Sequence, residues 1–366
     1  MKILHTSDWH LGLDLCQISL LEYQKAWSDW LCDTIQQHKI DAVLICGDVF
    51  DRAVSSPEAI RLYSASLEKI HQAGAAVLMI AGNHDGAARL AACAPLLENS
   101  KIYIAGQLEH PVKIVEFPQA RFFLLPYFAA DRVKVLFPDA TGMVDGTEMV
   151  LEQCKAACLP DKKNILLAHC FVAGGQAGES DRAAVVGGSA ELPIKLFEDF
   201  DYVALGHIHR PQKLGENIRY CGTPMKYSFS EHSQTKTAPL YDTESGQVEL
   251  IEIPEFVSLK VLTGDLEQLL QQSQQQDYEN IFVKLVRTDG PADLHTQTQL
   301  RQAFPKVLQI EGRSAVMEQQ EMGAIESLPP LELLRMFYKE RTGQEPKPEL
   351  EEWFLEMLEQ KEEMEQ

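Results

Sequence analysis

Histidines, carboxylates and one amide recur in five short motifs along this 366-residue chain. They are Asp8-Trp9-His10, Gly47-Asp48-Val49-Phe50-Asp51, Gly82-Asn83-His84-Asp85, His169, and Gly206-His207-Ile208-His209. Imidazole, carboxylate and amide oxygen together make a donor set for divalent ions such as Mn²⁺, whereas a soft site would need thiolates. Two such ions about 3.5–4 Å apart can share one bridging carboxylate and clamp the attacking and leaving oxygens of a phosphoryl displacement. Asp48 suits the bridge, because it follows a central strand and lies between the other motifs in chain order. Asp8 and His10 are two residues apart, as are His207 and His209, so on a continuing strand each pair points one way. Asn83 offers a neutral oxygen, and the adjacent His84 is then expected to turn from the ions towards a substrate. Gly47, Gly82 and Gly206 allow tight turns and close backbone approach.

Each motif follows an apolar run that reads as a buried strand: Lys2–Thr6, Ala42–Cys46, Ala75–Ala81, Ile165–Ala168 and Tyr202–Leu205. Open α/β sheets carry their sites beyond the carboxyl ends of strands, so the five segments should converge on one crevice. A lone buried histidine is usually a satisfied core residue; five motifs in order on strand ends argue otherwise. His5, His38, His71, His110, His232 and His295 lack that setting and read as structural or surface residues.

The motif set resembles the calcineurin-like metallophosphoesterases, and among them the SbcD nuclease family. The similarity lies in Lys2-Ile3-Leu4-His5-Thr6-Ser7-Asp8-Trp9-His10-Leu11-Gly12, in Gly47-Asp48-Val49-Phe50-Asp51, in Tyr202 to Arg210, and in Tyr220-Cys221-Gly222-Thr223-Pro224. It covers about the first 230 residues by motif and the remainder by layout. The resemblance implies a two-sheet α/β sandwich with a small α+β capping domain and a C-terminal helical tail. One metal would take Asp8, His10, Asp48 and His209, and the other Asp48, Asn83, His169 and His207. His84 would be the catalytic histidine, protonating or stabilising the departing sugar oxygen. Asp51 is a candidate for orienting it, as the matching carboxylate does in related phosphatases. Arg52 reads equally as a phosphate contact or a surface residue. The implied activity is double-strand exonuclease and hairpin or single-strand endonuclease cleavage of DNA, in repair and recombination. The implied partner is an SbcC-like ATPase, with a homodimer of this chain inside a heterotetramer. No Gly-x-x-x-x-Gly-Lys-Ser/Thr loop is present, so ATP binding is expected of the partner and not of this chain.

The composition fits such an enzyme in the cytoplasm. Hydrophobic content of 45% allows a sizeable core, and the length exceeds one ordinary domain. The chain opens directly into a strand, so no cleavable signal is expected, and no apolar run approaches membrane-spanning length. Eight cysteines without Cys-x-x-Cys spacing read as reduced thiols. A net charge of −21 is unusual for a chain that would hold DNA alone. Part of it serves metal binding; the rest implies a small positive channel on an acidic body or, the preferred reading, a partner that supplies most phosphate contacts.

Three parts follow. Residues 1–254 form the phosphoesterase domain. Its first helix, about Leu20–His38, carries Leu21, Ala26, Trp27, Trp30, Leu31 and Ile35, suiting either a homodimer contact or packing on the sheet. Gly174–Gly188, with Glu179, Asp181 and Arg182, is a loop expected to border the site. Residues 255–326 read as a β-α-β-α-β capping unit: strand Phe256–Leu262, helix Asp265–Gln276 capped by Asp265, strand Ile281–Arg287, a helix, and a strand near Val307–Ile310. Gln271–Gln276 reads as a polar helix face. Residues 327–366 read as two amphipathic helices, with apolar stripes Leu331, Leu334, Phe337, Tyr338 and Leu350, Trp353, Phe354, Met357, Leu358. Short helices do not bury such stripes on each other alone, so the tail should dock on a partner or on the chain's own core.

Two other functions fit the same motifs. A phosphatase or phosphodiesterase could act on small molecules or proteins with this metal site, and a scaffold could keep the motifs without activity.

Overall fold

The computed structural model describes residues 1–178 and 191–312, with scattered positions between 331 and 354. Two six-stranded sheets dominate the first of two units, which comprises Met1–Leu262, Gln276–Lys284 and Phe304–Gln309. The first sheet runs, in space, Val248–Glu252, Thr237–Asp242, Lys2–Thr6, Ala42–Cys46, Ala76–Ile80, Ile102–Ala105. Its last four strands are mutually parallel, and the hairpin Thr237–Asp242/Val248–Glu252 closes one edge antiparallel. The second runs Gln212–Lys213, Ile218–Tyr220, Tyr202–Gly206, Lys163–His169, Ala120–Leu125, Lys113–Glu116. Its middle four strands are parallel.

The five expected strands are therefore present, two with the expected ends and three shifted by one or two residues. Ala42–Cys46 and Ala76–Ile80 are apolar throughout because both faces are covered. In Ala42–Cys46, Ala42, Leu44 and Cys46 face the core between the sheets, joined there by Leu78, Phe122, Leu167 and Tyr202. Val43 and Ile45 face the outer core under the helices Leu21–His38 and Pro57–Gln72. A strand buried on both sides cannot alternate polar and apolar residues.

The first helix spans Leu21–His38. Trp27 meets Trp9 edge-to-face at 4.9 Å, and Trp27, Leu31 and Ile35 are fully buried. Packing within the chain thus accounts for most of the aromatic face that also suited a dimer contact.

The small unit follows the β-α-β-α-β order. Strands Ser258–Gly264, Ile281–Arg287 and Val307–Gly312 make one three-stranded sheet, in that spatial order. The parts Ser258–Leu262, Ile281–Lys284 and Val307–Gln309 belong to the first unit. The second unit comprises Thr263–Gln275, Leu285–Ala303 and the described residues from Ile310 onward, the tail included. Its helix Leu266–Gln272 starts in a capping box: the Asp265 carboxylate accepts from the Gln268 amide, and the Gln268 side chain accepts from the Asp265 amide. This helix stops short of the expected Gln276. In the tail, the described positions 331, 332, 334, 335, 338, 350, 351, 353 and 354 are helical. Arg335 and Glu351 form a two-pronged ion pair at 2.7 and 2.6 Å. Phe337, Met357 and Leu358, like Glu179–Gly188 of the expected loop, lie outside the described residues. Among the described residues no helix is long and apolar enough to cross a membrane.

Candidate metal centre

The carboxyl ends of three strands of the first sheet and two of the second meet at one buried cluster. Neither Asp8–His10 nor His207–His209 continues its strand, contrary to the simplest reading of their spacing. Asp8, His10 and Asp48 take left-handed backbone conformations at φ 52°, 44° and 49°, and His207 lies at φ 103°. Non-glycine residues rarely adopt these angles, and such strain gathers at functional sites. Bonds between loops hold them there: the amides of Asp8, His10 and Leu11 donate to the carbonyls of Gly47, Asp48 and Val49, each at 2.9 Å. Gly47 sits at φ +90°, and a Cβ on it would overlap the ring of His169. A Cβ on Gly206 would overlap the Cys46 carbonyl oxygen. The two sheets thus touch at glycines, which lets ligands from both reach one point.

Asp48 stands at the middle. Its Oδ2 lies 3.3 Å from His169 Nε2 on one side and 3.9 Å from His10 Nε2 on the other, while Oδ1 accepts the His84 amide at 2.8 Å. Asp8 Oδ1 accepts the His207 amide at 3.0 Å, and Ser7 Oγ donates to Oδ2. Asn83 Oδ1 lies 2.9 Å from His169 Nε2 and 3.0 Å from His207 Nδ1. Ligand atoms of Asp8, His10 and His209 fall within 4.8 Å of one another, as do those of Asp8, Asp48 and His169, and of His10, Asp48 and His84. All seven expected ligands are therefore drawn together, with Asp48 between the two groups.

The donor chemistry fits divalent ions. Both ring nitrogens of His10 and Nε2 of His207 are buried with no hydrogen-bond partner, a costly state for groups that nothing coordinates. Burial lowers both rings to about 3, so they stay neutral, as metal ligands must. Burial raises the Asp8 carboxyl. Burial also acts to raise Asp48, but the charge of His169 and its hydrogen bond outweigh it and hold Asp48 well below the ordinary carboxylate range. His169 is the counterpart: burial lowers it, yet Asp48 beside it carries it up to about 9. The pocket of two buried carboxylates thus attracts cationic charge, which is the electrostatic condition for a dimetal centre.

His84 is not turned away from the cluster as expected. Its ring meets that of His10 edge-on at 4.8 Å, so it borders the group and remains part-exposed. Its Nδ1 lies 2.9 Å from the backbone carbonyl of Asp51. The Asp51 carboxylate, expected to orient His84, instead has its Oδ1 3.8 Å from His10 Nδ1, with Arg52 beside it. Arg52 is largely exposed and pairs with Asp51.

Sequence reasoning missed two buried carboxylates. Asp85 accepts the amides of Gly82, Phe50 and Val49 at 2.9, 2.9 and 3.2 Å, stapling the Asn83–His84 turn to the Asp48 loop. Its place inside the Gly82-Asn83-His84-Asp85 motif was the available signal. Glu231, 1% exposed, places Oε1 3.3 Å from His209 Nδ1 and forms a buried ion pair with Lys236 at 2.6 Å. Lys236 also donates to the His209 carbonyl and to Thr223 Oγ1, at 2.9 and 2.7 Å. Nothing in the spacing around Glu231 marks it. His5 behaves as a core residue, bonded to the Tyr202 hydroxyl and the Leu205 carbonyl.

Comparison with known proteins identifies the family of the chain. The calcineurin-like phosphoesterase profile matches residues 1–211, and the profile described as a type 5 capsule protein repressor C-terminal domain matches residues 255–342. The chain is 30% identical over 356 residues to the SbcD component of the SbcCD nuclease from Staphylococcus epidermidis, covering 94% of each. Among solved structures it is similar to a Thermus thermophilus protein (TM-score 0.37, 14% identity, 69% of this chain and 99% of that one). It is also similar to a dimetal phosphatase from Danio rerio (TM-score 0.41, 11% identity, 70% and 97%).

Proposed function

We propose that this chain, which belongs to the calcineurin-like phosphoesterase family and within it to the SbcD nucleases, is the metal-dependent nuclease subunit of a DNA-processing complex. The observation that carries the reading is the position of Asp48 between His10 on one side and His169 on the other. Asp8, His10, Asp48 and His209 would hold one ion, and Asp48, Asn83, His169 and His207 the other. Bound there, two divalent ions, Mn²⁺ in this reading, supply an activated water and charge for both oxygens of an in-line displacement.

The chain's own residues then bind and protonate. Asp8 and Asp48 keep the centre anionic, and His10 and His207 stay neutral through burial. A carbonyl oxygen only accepts, so the Asp51 carbonyl fixes a proton on His84 Nδ1 and leaves Nε2 to face substrate. With a second proton on that nitrogen, His84 hands it to the departing sugar oxygen, or stabilises the charge there, and is left neutral with the Nδ1 proton in place.

The partner is an SbcC-like ATPase, bound through the C-terminal helices, and two copies of this chain work in one cytoplasmic assembly. The division into residues 1–254, 255–326 and 327–366 serves these tasks as nuclease domain, cap and docking segment. Phosphate contacts beyond the centre come mainly from the partner, since the chain carries a net charge of −21.

Digestion of an end-labelled DNA hairpin with Mn²⁺, with and without coexpressed ATPase, tests this. Hairpin opening that EDTA abolishes is expected. Hydrolysis of small phosphate esters with no DNA cleavage under either condition would overturn it in favour of a phosphatase.

A further inference from the structure

A cavity of about 250 Å³ opens beside the metal centre on the outer side of the second sheet, with His169 in its wall. Tyr127, Phe128, Met143, Thr147 and Phe171 are among its lining residues. Tyr127 stands edge-on to His169, ring centres 6.2 Å apart. The wall is therefore shared: the residue that closes one ligand group also bounds an apolar space. We propose that this cavity receives one unstacked nucleobase of the strand whose phosphate lies at the centre.

Three features of the lining select that occupant. Its size suits a single flat ring system, at the small end of ligand pockets, and excludes a base pair with its sugars. Its surface is aromatic and aliphatic, which accepts any base face by stacking and gives little preference among sequences. No Lys or Arg is among the described lining residues, and Asp131 contributes a carboxylate. A second phosphate is thus disfavoured, whereas an uncharged base is accepted. Bases at hairpin tips and frayed ends are already unpaired, so the cost of unstacking is least for those substrates. The cavity thereby favours strand ends and loops over continuous duplex.

This inference rests on the nuclease reading, and its test separates the two. Hairpins carrying an abasic unit on either side of the scissile phosphate are compared with the intact hairpin, using the full chain and Mn²⁺. The wild type should cleave the intact hairpin at least about tenfold better than one abasic version, the scale of a lost base–aromatic stack. Met143→Trp and Ala130→Trp each fill the cavity from its lining, Ala130 being exposed and so safe for folding. Both variants should cleave all versions alike, at the rate of the abasic hairpin. With 2-aminopurine at the same position, binding to His84→Ala should change its emission, and the added Trp should remove the change. Equal cleavage of intact and abasic hairpins by the wild type would overturn the base pocket and leave the nuclease reading standing. Cleavage of neither would overturn both.

Discussion

The imidazole of His84 is tied through Nδ1 to the carbonyl oxygen of Asp51 at 2.9 Å, and not to the Asp51 carboxylate. That carboxylate looks instead towards His10 Nδ1, 3.8 Å away. The orienting role therefore belongs to the backbone of the Asp48 loop, and the loop is itself braced by Asp85 through the amides of Val49 and Phe50. The positional match to related phosphatases had pointed to the carboxylate.

His84→Ala should keep both metals and the affinity for DNA, while the cleavage rate falls by about 10²–10⁴-fold, the range of a lost general acid. Asp51→Asn retains the carbonyl and should cleave near the wild-type rate once Mn²⁺ is saturating. Single-turnover cleavage across a Mn²⁺ titration separates them. If Asp51→Asn matches His84→Ala at saturating metal, the carboxylate regains the role; loss of an ion in His84→Ala would make His84 a ligand.

Asp48→Ala should abolish binding at both sites, because one carboxylate lies between the two ligand groups. His10→Ala or His209→Ala should chiefly weaken one. Calorimetric titration with Mn²⁺ reads the stoichiometry directly. Two fully occupied sites in Asp48→Ala would remove the bridge.

The residues of the cluster were legible in sequence because each motif follows a largely buried strand, and the central ones, such as Ala42–Cys46, are unbroken apolar runs. The backbone that aims those ligands was not legible. Asp8, His10 and Asp48 sit in left-handed conformations, which residues other than glycine adopt only rarely, so the strand-spacing argument failed for Asp8 and His10. The shape of the first helix was ambiguous for a different reason. An aromatic face looks the same whether it meets Trp9 of its own chain or a second copy. Buried acids are the hardest case, since Glu231 in a stretch of Ser, His and Gln looks like surface until the fold brings Lys236 and His209 against it.

Glu231 therefore carries a prediction of its own. A carboxylate bonded to the far nitrogen of a metal-ligating histidine fixes its tautomer and strengthens it as a donor. Glu231→Gln should lower Mn²⁺ affinity about 10–100-fold. It should also break the buried Glu231–Lys236 ion pair, costing about 3–5 kcal/mol. The wild-type carboxyl is pushed up by burial, but the His209 bond and the Lys236 charge prevail and hold it at about 2. A group lower in the folded state than in the unfolded chain stabilises the fold above its unfolded value, near 4.5. That stability is lost as pH falls from there towards 2. Thermal melts should accordingly show the gap between wild type and Glu231→Gln narrowing below about pH 4.5. A gap independent of pH, with unchanged metal affinity, would reduce Glu231 to packing.

The tail makes the last test. Leu331, Leu334, Tyr338, Leu350 and Phe354 are all part-buried, the Arg335–Glu351 pair links the two helical stretches, and Trp353 stays 58% exposed. An exposed indole on a short helix is the kind of anchor that a partner surface buries. Truncation after Glu326 should therefore abolish association with the ATPase and any ATP-stimulated duplex cleavage. Basal Mn²⁺-dependent cleavage should survive, because no proposed ligand lies beyond His209. Trp353→Glu keeps the chain whole and should reproduce much of the loss, since burying a charge in place of the ring is costly. Copurification assays with the coexpressed ATPase measure both variants. Undiminished copurification of the truncated chain would show that residues 327–366 serve this chain's own fold instead.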